Sequence, residues 1–181
     1  MVNHQNIAEL NLLFEIMDGL DIDSWRIINL EPIGRALQYP ELMCTREDYI
    51  RLFNFIREKR EAGYPVEYGC SHFLGLDYEQ KIRNWYWFCS AGITTASIMA
   101  NGDIGACLDI ERRQETIQGN IRKDRFSDIW KKRFAIFRND ISEDPVYCQD
   151  CEYRKYCRGD AHHTWDYDQN RPRACFRGIL F

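Results

Sequence analysis

Four cysteines near the C-terminus have the residue type and spacing of a thiolate site. Cys148 and Cys151 form a C-x2-C pair, Cys157 follows after five intervening residues, and Cys175 follows after a further seventeen. Thiolates are the ligands of both structural zinc sites and iron–sulfur clusters. The spacing therefore predicts that these four residues hold a metal or a cluster, and spacing alone leaves zinc and iron–sulfur open.

A second group of candidate ligands surrounds a predicted β-hairpin. Asn101-Gly102 lies between two short apolar runs, which is a strong hairpin signal, and Cys89 and Cys107 stand on either side of it. Because a hairpin brings its ends together, the two sulfurs could share a ligand; the alternative is a pair of buried small hydrophobic residues. The residues that could complete such a site are His162 and His163. The alternative interpretation is that one of these two histidines lies at the surface and that the other is hydrogen-bonded in a polar loop.

The use of cysteine favours ligand chemistry over disulfides. The chain has eight cysteines. Its first residues, 1–6, carry neither a basic nor an apolar region, so a signal peptide is not expected. The expected location is therefore the cytoplasm. In that reducing compartment disulfides are rare. Cys44 and Cys70 stand apart and are expected to be ordinary cysteines, and the C-x2-C pair lacks the strand-to-helix context of a thiol redox protein.

Composition excludes some partners. The chain has 181 residues and a net charge of -4, with 45% hydrophobic and 29% charged residues, which is ordinary for a globular protein. No block of Lys and Arg stands out, so neither nucleic acid nor an anionic membrane surface is an expected partner. The apolar stretches are also too short to span a membrane.

The first half of the chain alternates between helical and strand patterns. The elements expected, in order, are a helix over 6–19, a strand over 25–30, a helix over 45–60 and a strand over 65–68. Asn6 is the expected cap of the first helix, and Thr45 with Asp48 resembles a capping box. The strand over 25–30 is mostly apolar, which predicts burial on both faces. This order indicates an α/β fold with parallel strands, but two strands are too few to close a barrel.

The second half of the chain has a different pattern of predicted elements. It contains the hairpin at Asn101-Gly102 and then an amphipathic pattern that predicts one helix over Phe126–Phe137, with Asp124 or Ser127 as its cap. The remainder is rich in turns and cysteines.

From Cys89 to Cys175 the chain resembles a SPASM domain, the cluster-carrying C-terminal extension of radical S-adenosylmethionine (radical SAM) enzymes. These enzymes modify peptides and proteins, and anaerobic sulfatase maturases are among them. The residues that carry the resemblance are Cys89, the Gly-x4-Cys run 102–107, Gln118-Gly119-Asn120-Ile121, the Trp130 segment, and Cys148, Cys151 and Cys157.

The resemblance implies an auxiliary [4Fe–4S] cluster on Cys148, Cys151, Cys157 and Cys175. It also implies a first auxiliary site on the hairpin cysteines, but the family's cysteine that follows Cys157 after three intervening residues is replaced here by Ala161. That site is therefore degenerate. It is either empty or completed by His162, His163 or Asp160 beside Cys89 and Cys107.

The upstream residues resemble a different part of the same enzymes. The run from Trp25 through Gly34-Arg35-Ala36 is similar to a late strand of the radical SAM barrel and the turn after it. The resemblance thus implies the last strands and helices of a partial (β/α)6 barrel over 1–84, followed by a small α+β SPASM domain with a β-hairpin and Cys-rich loops over 85–181. Arg35 would then contact cofactor or substrate; the alternative is a solvated loop arginine.

The C-x3-C-x2-C motif of the catalytic cluster is absent from this sequence. The expectation is therefore a chain that is not catalytic alone and that meets S-adenosylmethionine only together with an N-terminal half. Its cluster would position a peptide or protein substrate or transfer electrons. Expected partners are that substrate and either a separate radical SAM half or a second copy at the exposed barrel edge. The alternative function is a structural zinc module that mediates a protein–protein interaction.

Overall fold

The computed structural model describes residues 1–70, 72–143 and 146–181. The chain forms two compact units, one of Met1–Trp87 with Cys175–Phe181 and one of Phe88–Ala174. Helices and short strands occur in both, so the fold is mixed α/β. The family domains expected over 1–84 and 85–181 remain predictions.

The α-helices are α1 Leu10–Asp18, α2 Arg46–Glu61, α3 Leu76–Ile82, α4 Phe126–Lys132, α5 Ala135–Arg138, α6 Val146–Gln149 and α7 Arg154–Cys157. The strands are β1 Trp25–Ile27, β2 Val66–Tyr68, β3 Ser97–Ile98, β4 Asp103–Gly105, β5 Gly119–Asn120, β6 Trp165–Asp166 and β7 Arg171–Pro172. Short 3-10 helices cover Ile7–Glu9, Gly34–Gln38, Pro40–Leu42 and His162–Thr164.

The first unit is built on a parallel pair of strands, as predicted. β1 lies beside β2 with Trp25 opposite Val66. The prediction that β1 extends to residue 30 is wrong, because the residues after Ile27 pair with Val2 instead. Val2 N–H donates to the Ile28 carbonyl at 2.7 Å, and Val2 forms a parallel bridge with Asn29. Ile28 is also 40% exposed, so this segment is not buried on both faces.

Helix α2 begins at the predicted capping box. Thr45 Oγ1 accepts a hydrogen bond from Asp48 N–H at 3.2 Å, and the Asp48 carboxylate accepts one from Thr45 N–H at 2.8 Å. His4 Nδ1 lies 2.6 Å from the same carboxylate. Burial favours the neutral form of Asp48, but the hydrogen bonds from His4 and Thr45 outweigh it and hold the pKa of Asp48 below its ordinary value.

The predicted cap of the first helix is wrong. Asn6 stands at the start of the 3-10 turn that precedes α1, but its side chain makes no capping hydrogen bond. Instead Asn6 Oδ1 accepts a hydrogen bond from Asn3 N–H at 2.8 Å, because the chain before the helix folds back into a turn.

The core of the first unit is aromatic and includes the end of the chain. Leu52, Phe53 and Ile56 of α2 are fully buried. Phe176, from the segment Cys175–Phe181, packs edge-on against Tyr49 with ring centroids 4.8 Å apart. This contact anchors the residue next to Cys175 in the first unit.

The second unit contains the predicted hairpin. β3 and β4 pair antiparallel, with Ile98 opposite Ile104, and β5 adds to the other side of β4. Gly102 in the turn has a φ of +90°, which a residue with a Cβ rarely adopts. The Asn-Gly signal is therefore confirmed.

The single helix expected over Phe126–Phe137 is two short helices. α4 ends at Lys132 and α5 begins at Ala135, since Phe134 leaves helical geometry and its side chain enters the core. Neither of the predicted caps, Asp124 and Ser127, caps helix α4. Asp124 Oδ2 accepts a hydrogen bond from Asn120 N–H at 2.9 Å, which ties it to β5 and leaves Arg125 at the cap position. Among the helices of the described residues, none is long and apolar enough to cross a membrane.

Candidate metal centre

Three of the four predicted ligands lie on one chain of hydrogen-bonded turns in the second unit. Cys151 N–H donates to the Cys148 carbonyl at 3.2 Å, and Arg154 N–H donates to the Cys151 carbonyl at 3.0 Å. Cys157, at the end of α7, donates its N–H to the Tyr153 carbonyl at 2.9 Å. A hydrogen-bonded turn holds residues i and i+3 within about 7 Å of each other. The turns therefore keep Cys148, Cys151 and Cys157 in a compact segment.

The chain leaves this segment through a tight left-handed turn. Arg158, Gly159 and Asp160 have φ angles of 53°, 91° and 69°. The turn is closed by Asp160 N–H, which donates to the Cys157 carbonyl at 3.1 Å. This turn therefore leads the chain directly from Cys157 to Asp160 and into the core of the second unit.

Cys175 begins the segment Cys175–Phe181 and belongs to the first unit, whereas the other three predicted ligands belong to the second. It is partly buried, and the adjacent Phe176 is only 2% exposed. All eight cysteines are among the described residues, and none of them forms a disulfide.

The other two cysteines pack on the core of the second unit. Cys89 and Cys107 both contact the apolar cluster that contains Phe134 and Phe137. Burial raises the pKa of the Cys89 thiol, and the nearby charges of Asp160 and Cys107 act in the same direction. Backbone hydrogen bonds from His162 and Ala91 to the Cys89 sulfur oppose this rise. Cys89, Cys107, Asp160 and His162 are therefore neighbours in this unit.

Two buried polar atoms in this neighbourhood have no hydrogen-bond partner among the described residues. They are His162 Nδ1 and the Tyr167 hydroxyl. The His162 ring is 5% exposed and packs edge-on against Phe137, with centroids 5.2 Å apart. Burial lowers the pKa of His162 to about 4, with a smaller opposing contribution from the Phe137 backbone, so the imidazole is neutral at physiological pH. Burial, reinforced by Cys89, raises the pKa of Tyr167 above its ordinary value.

The remaining predicted residues are more peripheral. Cys107 Sγ lies 4.0 Å from the Asp109 carboxylate and donates to it. His163 is partly buried in the 3-10 helix His162–Thr164. Arg35 is exposed on the 3-10 helix Gly34–Gln38.

Sequence reasoning missed a buried polar group at the carboxyl ends of β1 and β2. His72 Nε2 lies 2.8 Å from Glu31 Oε1, and the Tyr68 hydroxyl donates to Asn29 Oδ1 at 2.5 Å. Carboxyl ends of parallel strands are where α/β folds place ligands. The available signal was that Glu31 and His72 each follow a predicted strand by a few residues.

The comparison with protein families concerns the cysteine-rich unit. Residues 89–152 match the family described as SPASM, an iron–sulfur cluster-binding domain. This part of the chain is therefore similar to a SPASM domain. The matched residues include Cys89, Cys107, Cys148 and Cys151, whereas Cys157 and Cys175 lie beyond them.

Two curated relatives resemble most of this chain. The AdoMet-dependent heme synthase of Oleidesulfovibrio alaskensis is 26% identical over 184 residues, which cover 87% of this chain and 44% of the relative. The protein of the same name from Nitratidesulfovibrio vulgaris is 22% identical over 175 residues, with 87% and 46% coverage. The chain thus spans about half the length of the curated relatives that it matches.

Solved structures have a similar fold over most of this chain. The anaerobic sulfatase-maturating enzyme anSMEcpe with bound AdoMet and the Kp18Cys peptide has a TM-score of 0.58 at 18% identity, covering 91% of this chain and 47% of that chain. The same enzyme with the Cp18Cys peptide has a TM-score of 0.55 at 17% identity, with 91% and 47% coverage. The chain therefore has a mixed α/β fold that is similar to the C-terminal region of a radical SAM/SPASM enzyme.

The donor chemistry of this chain fits the group that SPASM domains bind. Soft thiols on hydrogen-bonded turns suit iron–sulfur ligation. Beside Cys89, the unsatisfied His162 Nδ1 and Tyr167 hydroxyl are polar atoms that a bound group could satisfy.

Proposed function

We propose that this chain is the C-terminal region of a radical SAM enzyme and that its SPASM domain holds an auxiliary [4Fe–4S] cluster. The ligands would be Cys148, Cys151, Cys157 and Cys175. The observation that carries the proposal is the match of residues 89–152 to an iron–sulfur domain, together with the turns that hold Cys148, Cys151 and Cys157 in one compact segment. When bound, such a cluster supplies one-electron redox chemistry.

Single Cys→Ser variants test this ligand set. After anaerobic reconstitution, Cys151→Ser and Cys175→Ser should each lose about four irons and four labile sulfides per chain, the content of one cluster. Cys44→Ser is the matched control, since that cysteine packs against the apolar core of the first unit, and it should lose none. Unchanged iron in Cys175→Ser would remove that residue from the set.

The cluster would position the substrate or transfer electrons during its oxidation. The peptide complexes of anSMEcpe support a peptide or protein substrate. The relatives named heme synthase support a haem-related substrate instead, and their sequence identity to this chain is the higher. Equilibrium binding separates these classes: a peptide substrate predicts that a cysteine-containing peptide binds the reconstituted chain more tightly than a porphyrin does. The reverse order would favour the haem-related class.

The first unit would supply the last part of a partial (β/α)6 barrel. Support comes from β1, β2 and the parallel bridge of Val2, which give parallel strand positions flanked by α1 and α2. S-adenosylmethionine would then bind only together with an N-terminal half, and Arg35 would contact cofactor or substrate. This chain alone should release no 5′-deoxyadenosine when reconstituted and reduced, and its detection would overturn that part of the proposal.

An apolar stripe on α1 supports association at the barrel edge. Leu12 and Ile16 lie four residues apart on α1 and are 58% and 56% exposed, and Leu20, just after the end of the helix, is 52% exposed. The stripe would be covered by a separate radical SAM half or by a second copy of this chain. Light scattering should report a dimer or larger species for the chain alone and a monomer for Leu12→Lys/Ile16→Lys. A monomer in both would exclude self-association.

The zinc alternative receives no support from the comparisons, since the matching family is described as an iron–sulfur domain. It predicts a colourless protein with one zinc per chain after anaerobic reconstitution. The iron–sulfur proposal predicts a brown protein with broad visible absorbance.

A further inference from the structure

The first unit has a cavity at the amino ends of β1 and β2. It has a volume of about 210 Å³ and lies entirely within that unit. Three aromatic side chains line it: Phe14 of α1, Trp25 at the start of β1 and Tyr64 just before β2. None of the proposed cluster ligands belongs to this cavity, so its role is a separate question.

The aromatic lining has the chemistry of a cation site. Phe14 stacks on Trp25 with ring centroids 6.5 Å apart, and Tyr64 meets Phe14 edge-on at 4.7 Å. One ammonium group already uses this cluster, since Lys59 Nζ lies 3.6 Å from the centroid of the Phe14 ring. Trp25 and Tyr64 are partly exposed, and the faces of Trp and Tyr rings attract cations. These two rings are therefore open to a second cation that enters the cavity from outside.

Negative charge surrounds the same cavity. Asp18 and Asp21 line it, both are exposed, and among the described residues neither has an ion-pair partner. From residue 1 to residue 25 the sequence has five Asp and Glu residues and no Lys or Arg. Helix α1 thus has no basic residue in its last turn, although the helix dipole favours a cation there. A cation supplied by another molecule would balance this charge.

The cavity adjoins the exposed apolar surface of α1. Leu20 lines the cavity, and Leu12 and Ile16 are exposed on the helix that leads to it. A surface that complements this region must therefore be apolar and must carry positive charge. A lysine or arginine side chain meets both needs, because its aliphatic stem packs on apolar groups while its charged head reaches aromatic faces and carboxylates.

We propose that this cavity binds a lysine or arginine side chain that an apolar segment of a partner protein presents to it. The inference goes beyond the proposed cluster and adds the chemistry of the partner to the association proposed for α1. It requires no iron. A chain that holds no cluster therefore still tests it, and its failure would leave the proposed cluster untouched.

The direct test is a titration of the full chain with the capped tripeptide leucyl-lysyl-leucine, followed by the NMR signals of the Trp25 indole and the Tyr64 ring. The comparison peptide has norleucine in place of lysine, which keeps the length of the side chain and removes its charge. The lysine peptide should shift both signals and bind about tenfold more tightly, because only a cation gains from the aromatic faces and the carboxylates. Equal affinities, or no shift of either signal, would overturn the proposal.

Exposed variants separate the charge from the rings. Asp18→Asn/Asp21→Asn should weaken the lysine peptide and leave the norleucine peptide unchanged, whereas Asp77→Asn, which removes an exposed carboxylate of α3 outside the cavity, should change neither. Tyr64→Phe should retain the preference for lysine, and Tyr64→Leu should reduce it. Undiminished binding of the lysine peptide by both Asp18→Asn/Asp21→Asn and Tyr64→Leu would overturn the site.

A last probe separates a partner's side chain from a free organic cation. n-Butylammonium has the charged head and stem of lysine without the apolar neighbours, so it should bind at least about tenfold more weakly than the lysine peptide. Equal affinity would make this a site for a small-molecule cation and would overturn the protein partner.

Discussion

Replacement of Arg83 tests the buried charge pair that holds the chain after β2. The side chains of Arg83 and Glu79 are 0% and 2% exposed, and Arg83 Nη2 lies 2.6 Å from Glu79 Oε1. Arg83 also donates to the carbonyls of Cys70 and His72 at 2.9 and 2.5 Å. One guanidinium therefore joins α3 to the segment that follows β2.

Arg83→Met leaves the Glu79 carboxylate buried without its cation and leaves those carbonyls without their donor. Removing one partner of a buried pair costs about 3–5 kcal/mol. With a urea dependence of about 2 kcal/mol per M, the unfolding midpoint should fall by about 2 M. Because the chain has two units, unfolding should be read locally, by hydrogen exchange of the peptides that cover α2 and β2.

The matched control is Arg57→Met in α2. Arg57 and Glu61 have the same i,i+4 spacing, but they are 3.9 Å apart and their side chains are 32% and 68% exposed. An exposed pair of this kind contributes about 0.3–0.5 kcal/mol. The reasoning is refuted if Arg83→Met and Arg57→Met cost the same.

The remaining predictions concern a carboxylate, a thiol and a turn. Since the pKa of Asp48 is lowered on folding, its contribution to stability is present above the unfolded carboxyl pKa and is lost as pH falls through the folded pKa; Asp48→Asn should therefore flatten acid unfolding followed by circular dichroism, and an identical acid curve would contradict this. Burial raises the pKa of Cys70 to about 12, so at pH 8 about one thiol in ten thousand is ionised, and alkylation read by mass spectrometry should be far slower in the native chain than in urea. Equal alkylation rates would show that Cys70 is not protected. Gly159→Ala should lower thermal stability more than Gly63→Ala, because both have φ near +90° but a Cβ at Gly159 would lie 2.5 Å from Ile141, whereas nothing lies within 4 Å at Gly63. Equal losses would mean that the contact is absent.

Local signals predicted local structure well. Thr45 with Asp48 marked the start of α2, and Asn101-Gly102 marked the hairpin, because both depend on residues a few positions apart. Helix α3 was not predicted, since Glu79 and Arg83 look like a solvated face in the sequence but form a buried pair through contacts made elsewhere in the unit.

The candidate site divides in the same way. The C-x2-C pair and Cys157 were evident from spacing, and the turns that join them are local. The unsatisfied atoms of His162 and Tyr167 could not be predicted, because their burial depends on the packing of Phe137 and its neighbours in the folded unit.

The most direct test of the central claim is the Mössbauer spectrum of the 57Fe-reconstituted wild-type chain, recorded beside that of Cys148→Ser/Cys151→Ser. The proposed function predicts the quadrupole doublet of a [4Fe–4S] cluster with thiolate ligands in the wild type and its loss in the double variant. A wild-type chain that holds zinc and no iron, or a doublet whose intensity per chain is unchanged in the double variant, would contradict it.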